Sequence, residues 1–179
     1  MRVIAGEWRG RPLIAPKGDA TRPTADRTRE ALFSMLTSRL GSFEGLAVAD
    51  LFAGSGALGI EALSRGAASC LFVEQDRAAL DALRANLARL RATADVRPMS
   101  VLALGPAVTA VDVMMLDPPY NSGAAAVALD KLNRLGWIGA GTWISVETAA
   151  TEALAVNGFI TDTCRTHGKA KITLLRRAA

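Results

Sequence analysis

The sequence predicts an α/β protein built on a doubly wound, mostly parallel seven-stranded sheet with helices on both faces. One observation behind this prediction is that apolar runs typical of buried strands alternate with segments of helical periodicity from residue 46 onwards. A second is the glycine-rich turn at residues 53–56, between the first apolar run and the first helical segment. The third is that residues 159–165 and 171–177 follow each other without a helix between them, which predicts an antiparallel pair.

Residues 1–40 are expected to form a small basic extension that precedes a main domain of residues 41–179. Within the extension, residues 2–5 and 11–15 have the character of short strands and predict a β-hairpin. A helix should follow, because apolar side chains recur at helical spacing in the second half of the extension and a glycine can close the last turn.

The main domain continues with strands and helices in alternation. Strands are predicted near residues 46–52, 69–74, 95–99, 111–116, 142–147, 159–165 and 171–177. Helices are predicted near residues 57–65, 76–91, 123–136 and 149–156, with at most a short helix in the link 99–110. In a parallel sheet of this kind, ligands bind where the carboxyl ends of the strands meet.

The tetrapeptide Asp117-Pro118-Pro119-Tyr120 directly follows the apolar strand 111–116. It brings a carboxylate, a proline carbonyl and an aromatic ring to one strand end, and neither proline offers a competing N–H. These groups suit a flat, conjugated amine such as the exocyclic nitrogen of a nucleobase. Asp117 and the Pro118 carbonyl can accept its two N–H bonds while Tyr120 stacks on the ring. The alternative is an ordinary proline turn with Asp117 as a turn former.

A glycine-rich motif follows the first predicted strand. Glycines at this position let the backbone approach a ligand closely at the N-terminus of the next helix. Gly54, Gly56 and Gly59 match the dinucleotide pattern G-x-G-x-x-G, and Glu74 lies twenty residues beyond Gly54. Because an acidic residue there binds the ribose hydroxyls of NAD and of S-adenosylmethionine alike, the pattern alone leaves the cofactor open.

Two features favour S-adenosylmethionine over NAD. Asp50, four residues before Gly54, suits the ammonium group of the methionine moiety and would repel a pyrophosphate. The 179 residues also leave no room for the substrate domain that a dehydrogenase normally adds to its nucleotide domain.

The first forty residues carry the positive charge of the chain. They contain eight Lys or Arg residues and four Asp or Glu residues, a surplus of +4 that equals the formal net charge of the whole chain. A basic segment beside a neutral domain indicates a polyanionic substrate. Trp8 lies between Glu7 and Arg9, close to Arg11, and this mixture favours stacking on bases and contacts with phosphates. The alternative is that Trp8 anchors a hairpin in the core and the arginines are merely solvated.

Other functions find little support in the sequence. Cys70 and Cys164 belong to no C-x-x-C pair, so no metal or redox site is predicted, and Cys70 is expected in the core. The start of the chain lacks the apolar stretch of a secretion signal, and no segment is long enough to span a bilayer. The protein is therefore expected in the cytoplasm, without a membrane partner.

Several motifs together resemble the class I methyltransferases of RNA, namely those at residues 50–59, 61–67, 72–74 and 116–120. Residues 8–11 and 21–33 narrow the resemblance to the bacterial enzymes that methylate N2 of one guanine in 16S ribosomal RNA. The resemblance covers nearly the whole chain. It implies a Rossmann-like fold, S-adenosylmethionine as the cofactor with S-adenosylhomocysteine as the product, and no metal. It also implies a monomer that acts on 16S ribosomal RNA within a small-subunit particle.

The resemblance further implies roles for individual residues. Catalysis would belong to Asp117, Pro118, Pro119 and Tyr120. Residues at three strand ends would bind the cofactor: Asp50, Phe52, Ala53, Gly54, Ser55, Gly56, Glu74, Gln75, Ser100 and Val101. Basic and aromatic residues of the extension would bind RNA: Trp8, Arg9, Arg11, Arg22, Arg27 and Arg29.

Three points in these assignments stay open. The family commonly has an Asp where this chain has Ser100, so a hydroxyl replaces an acidic contact to the adenine amine. Arg27 and Arg29 can instead form helix-surface ion pairs with Asp26 or Glu30. His167, in the loop before the last strand, also departs from the family pattern and is expected to be a loop residue without a catalytic role.

Two hypotheses compete with guanine-N2 methylation. The first is methylation of adenine N6 in DNA or RNA, since Asp-Pro-Pro-Tyr suits both amines. The second, from a different class, is an RNA-binding assembly protein that keeps the shell of a methyltransferase without its activity.

Overall fold

The computed structural model describes residues 1–15 and 23–179. Its sheet has seven strands, whose bounds are β1 (Ala47–Leu51), β2 (Ser69–Glu74), β3 (Asp95–Pro98), β4 (Val111–Leu116), β5 (Ile138–Ala149), β6 (Phe159–His167) and β7 (Ala170–Arg177). The α-helices are α1 (Pro23–Leu40), α2 (Ala57–Ser64), α3 (Arg77–Leu90) and α4 (Ala124–Arg134), and a short 3₁₀-helix spans Val101–Ala103. Among the described residues, no helix is both long and apolar enough to cross a bilayer.

The strand order confirms the predicted doubly wound sheet. The order is β3-β2-β1-β4-β5-β7-β6. The first five strands in this order pair in parallel, whereas β7 pairs antiparallel with both β5 and β6. The chain winds from β1 to β3 in one direction and from β4 to β5 in the other. The switch point of the topology therefore lies between β1 and β4, where open α/β sheets bind ligands.

Alternate residues of the central strands face two separate cores. On one face, Val48 of β1 belongs to a buried cluster with side chains of α1, α2 and α3. On the other face, Ala49 and Leu51 belong to a cluster with α4 and the residues around the 3₁₀-helix. This alternation follows from the two-residue period of a strand. Cys70 lies in the first cluster, 2% exposed, as its apolar context predicts.

The extension packs on the main domain. Its hairpin consists of a single antiparallel bridge between Arg2 and Pro12 rather than two full strands. The N–H groups of Ile4 and Ala5 donate to the carboxylate of Glu61 on α2, at 2.9 and 3.0 Å. Val3 of the hairpin shares the buried cluster described above. The described part of the extension thus completes the core on the side of α2.

The predicted helix at residues 149–156 is wrong. Strand β5 continues to Ala149, paired with Ala170 of β7, and residues 150–156 are not helical. The alanines of this segment favour a helix, but pairing with β7 extends the strand and outweighs that propensity. Beyond the strand, the carboxylate of Glu152 accepts the N–H of Ala149 at 3.2 Å and caps its end. The link 99–110 contains only the 3₁₀-helix, as predicted.

Candidate active site

The two sequence motifs meet at the carboxyl edge of the sheet, on either side of the switch point. Leu51 of β1 pairs with Leu116 of β4, and the N–H of Asp117 donates to the carbonyl of Leu51 at 3.4 Å. The loop after β4 therefore starts beside Phe52, where the loop after β1 starts. Burial raises the pKa of Asp50 most, and the charges of Asp117 and Glu74 add to the shift, as expected for three carboxylates at neighbouring strand ends.

The loop after β1 has an unusual backbone. Phe52 has φ 60° although it is not a glycine, and Gly54 and Gly56 have φ 57° and 85°. Non-glycine residues rarely adopt such angles, and the few that do are concentrated at functional sites. A Cβ atom added to Gly56 would lie 2.2 Å from Leu83 Cδ1, whereas one added to Gly54 would meet no atom within 4 Å. Gly56 is thus required by helix packing, and Gly54 faces open space.

Asp50 lies below this loop and is 1% exposed. Its Oδ2 accepts the N–H of Gly59, in the first turn of α2, at 2.8 Å. Within residues 1–15 and 23–179, its buried Oδ1 has no hydrogen-bond partner. Burial raises the pKa of this carboxyl well above its usual value, the Gly59 N–H opposes the shift, and Asp117 and Glu74 add to it. A buried anion with a spare acceptor fits a cationic ligand group such as the ammonium of S-adenosylmethionine.

Glu74 ends β2 and holds the same loop from the other side. Its Oε2 accepts the N–H of Gly54 at 2.7 Å, and its Oε1 accepts the N–H groups of Gln75 and Asp76, both at 2.8 Å. A carboxylate has about four acceptor positions, so about one remains for a ribose hydroxyl. Glu74 therefore shapes the cofactor loop as well as offering an acceptor to a ligand.

Ser100 and Val101 follow β3 at the same edge. The hydroxyl of Ser100 accepts the N–H of Leu102 at 3.2 Å and caps the 3₁₀-helix. The side chain of Val101 is buried in the second core cluster. The Ser100 hydroxyl accepts one hydrogen bond as a local cap and keeps its O–H and a second lone pair for a contact to adenine.

The loop after β4 is fixed by two acidic residues that the sequence analysis missed. The hydroxyl of Tyr120 donates to Glu147 Oε1 at 2.6 Å, and the N–H of Asn121 donates to Glu152 Oε2 at 2.9 Å. Asn121 has φ 56°, so this loop contains a strained residue just as the other loop does. Tyr120 as a whole remains 43% exposed. Glu147 lies near the carboxyl end of β5. Because ligands bind at the carboxyl ends of parallel strands, the reasoning that identified Asp117 could also have identified Glu147.

The predicted RNA-binding residues are in different environments. The side chains of Arg9, Arg11 and Arg27 are exposed, and Arg11 Nη2 also donates to the carbonyl of Arg89 at 3.3 Å. Trp8 is half-buried and packs against the first core cluster, so it serves at least in part as the hairpin anchor of the alternative hypothesis. Arg22 lies outside the described residues.

Arg29 is not available to RNA, and its assignment to the RNA surface is wrong. Its side chain is 4% exposed, and its guanidinium donates to the carbonyl of Arg2 and pairs with Asp26 at 3.2 Å. The buried carboxylate of Glu61 lies 3.8 Å from its Nε. The predicted alternative, an ion pair with Asp26, forms, but the guanidinium is buried and does not lie on the helix surface. Arg29 joins α1, the hairpin and α2, because its buried charge needs these partners.

The described residues contain no cluster of His, Cys, Asp and Glu side chains that could hold a metal ion. His167 ends β6, immediately before the turn into β7, and its buried Nε2 has no hydrogen-bond partner among the described residues.

Comparisons with known proteins agree with this geometry. The family described as "Conserved hypothetical protein 95" matches residues 1–176. The ribosomal RNA small subunit methyltransferase D of Escherichia coli is 39% identical over 158 residues, which cover 86% of this chain and 77% of the relative. The protein of the same name from Haemophilus influenzae is 36% identical over 160 residues, covering 86% and 81%.

A solved structure of an Escherichia coli methyltransferase superposes with a TM-score of 0.84 at 35% identity. The match covers 100% of this chain and 98% of that one. The predicted fold and the resemblance to a methyltransferase family are thereby confirmed. The chain belongs to the "Conserved hypothetical protein 95" family and is a class I methyltransferase that uses S-adenosylmethionine.

Proposed function

We propose that this enzyme methylates the exocyclic N2 of one guanine in 16S ribosomal RNA, within a small-subunit particle. The observation that carries the proposal is the meeting of the Asp117–Tyr120 loop with the glycine-rich loop across the β1–β4 switch point. The names of the relatives, ribosomal RNA small subunit methyltransferases, support ribosomal RNA as the substrate. An enzyme of this kind works in the cytoplasm, and we propose that it acts there as a monomer.

The cofactor would lie over the loop after β1. Asp50 would accept its ammonium group with the unpartnered Oδ1, and the open face of Gly54 leaves room for close approach. Glu74 and Gln75 would face the ribose, and Ser100 with Val101 would border the adenine. S-adenosylmethionine, when bound, supplies an electrophilic methyl group on a positively charged sulfur. The three carboxylates around the cleft favour a ligand with that charge.

The residues after β4 would position the amine. The N2 lone pair of guanine is delocalised into the ring, which makes the nitrogen a poor nucleophile. Accepting its N–H bonds at Asp117 and the Pro118 carbonyl orients the nitrogen and favours a pyramidal geometry. Holding the reactants in a near-attack pose is the larger effect, since such orientation can remove several kcal/mol of the barrier. Asp117 also stabilises the positive charge that grows on the nitrogen.

Tyr120 would cover the base once it has left its stack. Extrusion of a base costs a few kcal/mol, and stacking on an aromatic ring offsets part of that cost. The exposed ring of Tyr120 is available for this contact, and its hydroxyl is held by Glu147. The methylated nitrogen loses its proton readily, so no strong general base is needed.

The RNA would be held by exposed residues of the extension, namely Arg9, Arg11 and Arg27. Arg22 and the edge of Trp8 remain part of the proposal. Arginines at phosphates give affinity that falls with salt, and an aromatic edge beside them suits an unstacked nucleotide. The hairpin is fixed to α2 through Glu61, so RNA bound there would lie at a constant distance from the glycine-rich loop.

The proposal can be tested with methyl-labelled S-adenosylmethionine and small-subunit particles from cells that lack the endogenous enzyme. We expect label on N2 of one guanine of the 16S RNA, and Asp117→Ala serves as the matched inactive control. Label on adenine N6, or on DNA, would contradict the proposal. Cofactor binding without transfer to the particles or to naked 16S RNA would support an RNA-binding assembly protein instead.

A further inference from the structure

Glu147 lies beside Asp117 at the carboxyl edge of the sheet. Leu116 of β4 pairs with Val146 of β5, and both side chains belong to the same buried cluster. Asp117 follows Leu116 and Glu147 follows Val146. Because side chains alternate between the two faces of a sheet, Asp117 and Glu147 lie side by side on the face opposite to that cluster. Burial and the hydrogen bond to Glu147 raise the pKa of the Tyr120 phenol most, and the charges of Glu147, Asp117 and Glu152 add to the shift, as expected if these carboxylates lie near the phenol.

The carboxylate of Glu147 is only partly used. Its Oε1 accepts the Tyr120 hydroxyl at 2.6 Å, and its other oxygen takes no hydrogen bond from residues 1–15 or 23–179. Burial, and then the bond to Glu147, raise the pKa of Tyr120 far above its usual value, so the phenol keeps its proton and is the donor. A half-buried carboxylate thus presents a spare acceptor next to the ring on which the base would stack.

Guanine presents two adjacent donors on its Watson–Crick edge, the N2 amine and N1–H. Adenine presents one amine and, at N1, a lone pair. Enzymes that extrude a base read this edge with hydrogen bonds inside the pocket. Two neighbouring carboxylates match the two donors of guanine. One of the two would face the N1 lone pair of adenine and be left without a partner.

We propose that Glu147 accepts the N1–H of the target guanine and so selects guanine over adenine, while Asp117 takes the N2 amine. This inference rests on the proposed function and deepens it, because the Asp-Pro-Pro-Tyr loop alone suits either base. A site that leaves a buried polar group unpaired rejects the wrong substrate strongly, whereas a missing apolar contact discriminates weakly.

The competing explanation is that Glu147 only holds Tyr120 in place. The two roles differ in what they require of the base. Holding Tyr120 affects every stacked purine equally, whereas accepting N1–H distinguishes guanine from 2-aminopurine. The latter keeps the 2-amino group but has a lone pair at N1. 2-Aminopurine also lacks O6, so a preference for guanine is assigned to N1 only where a change at Glu147 removes it.

The experiment compares kcat/KM for target RNA containing guanine or 2-aminopurine, with the wild type, Glu147→Gln and Tyr120→Phe. We expect the wild type to prefer guanine by about 100-fold or more. Glu147→Gln should reduce the preference to less than about tenfold, because its amide can donate to N1. Tyr120→Phe, which keeps the stacking ring, should slow both substrates and retain the preference. Calorimetric cofactor affinity of Glu147→Gln should match that of the wild type and confirms its fold.

Each other result has a definite meaning. Equal methylation of both substrates by the wild type overturns the inference even if no variant is active, and leaves guanine-N2 methylation standing. An unchanged preference in Glu147→Gln, or loss of the preference in Tyr120→Phe to the same extent, also overturns it. Failure of the wild type to methylate guanine N2 at all rejects the proposed function rather than the role of Glu147 alone.

Discussion

Asn86 holds both backbone polar groups of Ile14. The N–H of Ile14 donates to Asn86 Oδ1 at 2.7 Å, and Asn86 Nδ2 donates to the Ile14 carbonyl at 2.9 Å. The same Nδ2 donates to the carbonyl of Ser55 at 3.0 Å, and the Asn86 side chain is completely buried. One side chain on α3 therefore joins the end of the hairpin segment to the loop at the cofactor site.

Asn86→Ala should destabilise the protein and weaken cofactor binding. The substitution leaves the buried Ser55 carbonyl and the groups of Ile14 without their partners, at a cost of about 1–3 kcal/mol for each group that water cannot reach. Urea denaturation should show the lower free energy of unfolding, and calorimetry the weaker cofactor affinity. Asn86→Asp is the matched variant, because it keeps the acceptor for Ile14 and loses both donated bonds. An Asn86→Ala protein with normal cofactor affinity would show that the link to Ser55 has no part in the site.

Asp50→Asn should make the cofactor-free protein more stable at neutral pH. The folded protein raises the pKa of Asp50 by burial. A carboxyl with a raised folded pKa binds its proton more tightly when folded, so its stabilisation is lost as pH rises through that pKa. The neutral Asn avoids this loss and can still accept from Gly59. We expect a gain on the order of 1 kcal/mol at pH 7 to 8, or a few degrees in Tm, that shrinks towards pH 4.

The same substitution should reduce cofactor affinity by tenfold or more, since the ammonium group loses its charged partner. Thermal unfolding across pH, without and with the cofactor, measures both effects. A variant that is less stable than the wild type at every pH would contradict the account of Asp50 as a strained buried anion.

Asp117→Ala should lower kcat by roughly 100-fold or more and leave cofactor affinity nearly unchanged. The reason is that Asp117 is proposed to stabilise charge that develops only in the transition state. Single-turnover methylation and cofactor titration separate the two quantities. Parallel losses in cofactor affinity and rate would mean that Asp117 belongs to the cofactor site instead.

Replacing Arg9 and Arg11 with Gln should weaken RNA binding and flatten its dependence on salt. Each phosphate contact that is lost lowers the slope of log affinity against log salt by nearly one. Binding isotherms at several salt concentrations provide the measurement. The matched control is Arg134→Gln with Arg176→Gln, which removes the same number of charges. Both of these side chains lie near the amino ends of β4 and β5, away from the cleft. An equal change of slope in the control would indicate that RNA contacts the protein without a defined surface.

Most of the fold could be predicted, because its strands are either buried runs or end in recognisable turns. The apolar run before Asp117 and the glycines after β1 each mark the end of a strand. Because the carboxyl ends of parallel strands meet at one edge of a sheet, these two strand ends are predicted to lie close together. The segment 149–156 could not be predicted correctly, since its composition favours a helix. Its structure is set by Lys171 and Ala170 on a strand distant in sequence, which pair with the last residues of β5.

Local motifs in the sequence indicate which candidate site residues lie at the strand ends, but they do not reveal contacts to residues that are distant in sequence. Nothing in the sequence near Arg29 shows that its guanidinium meets Glu61 and the Arg2 carbonyl. The partnership of Tyr120 with Glu147 likewise depends on β5 lying beside β4. In the first case the packing of α1, α2 and the hairpin brings the groups together, and in the second the pairing of β4 with β5 does so.

The position of β7 has a consequence for the biosynthesis of the enzyme. Because β7 lies between β5 and β6, neither of those strands gains this neighbour until residues 170–177 have left the ribosomal exit tunnel. Glu147 pairs with Ile172 of that late strand, so the nascent chain carries an unpaired edge beside Tyr120 while the β1–β4 half can already fold. The strand that carries Glu147 therefore gains its second neighbour only after β7 has been synthesised.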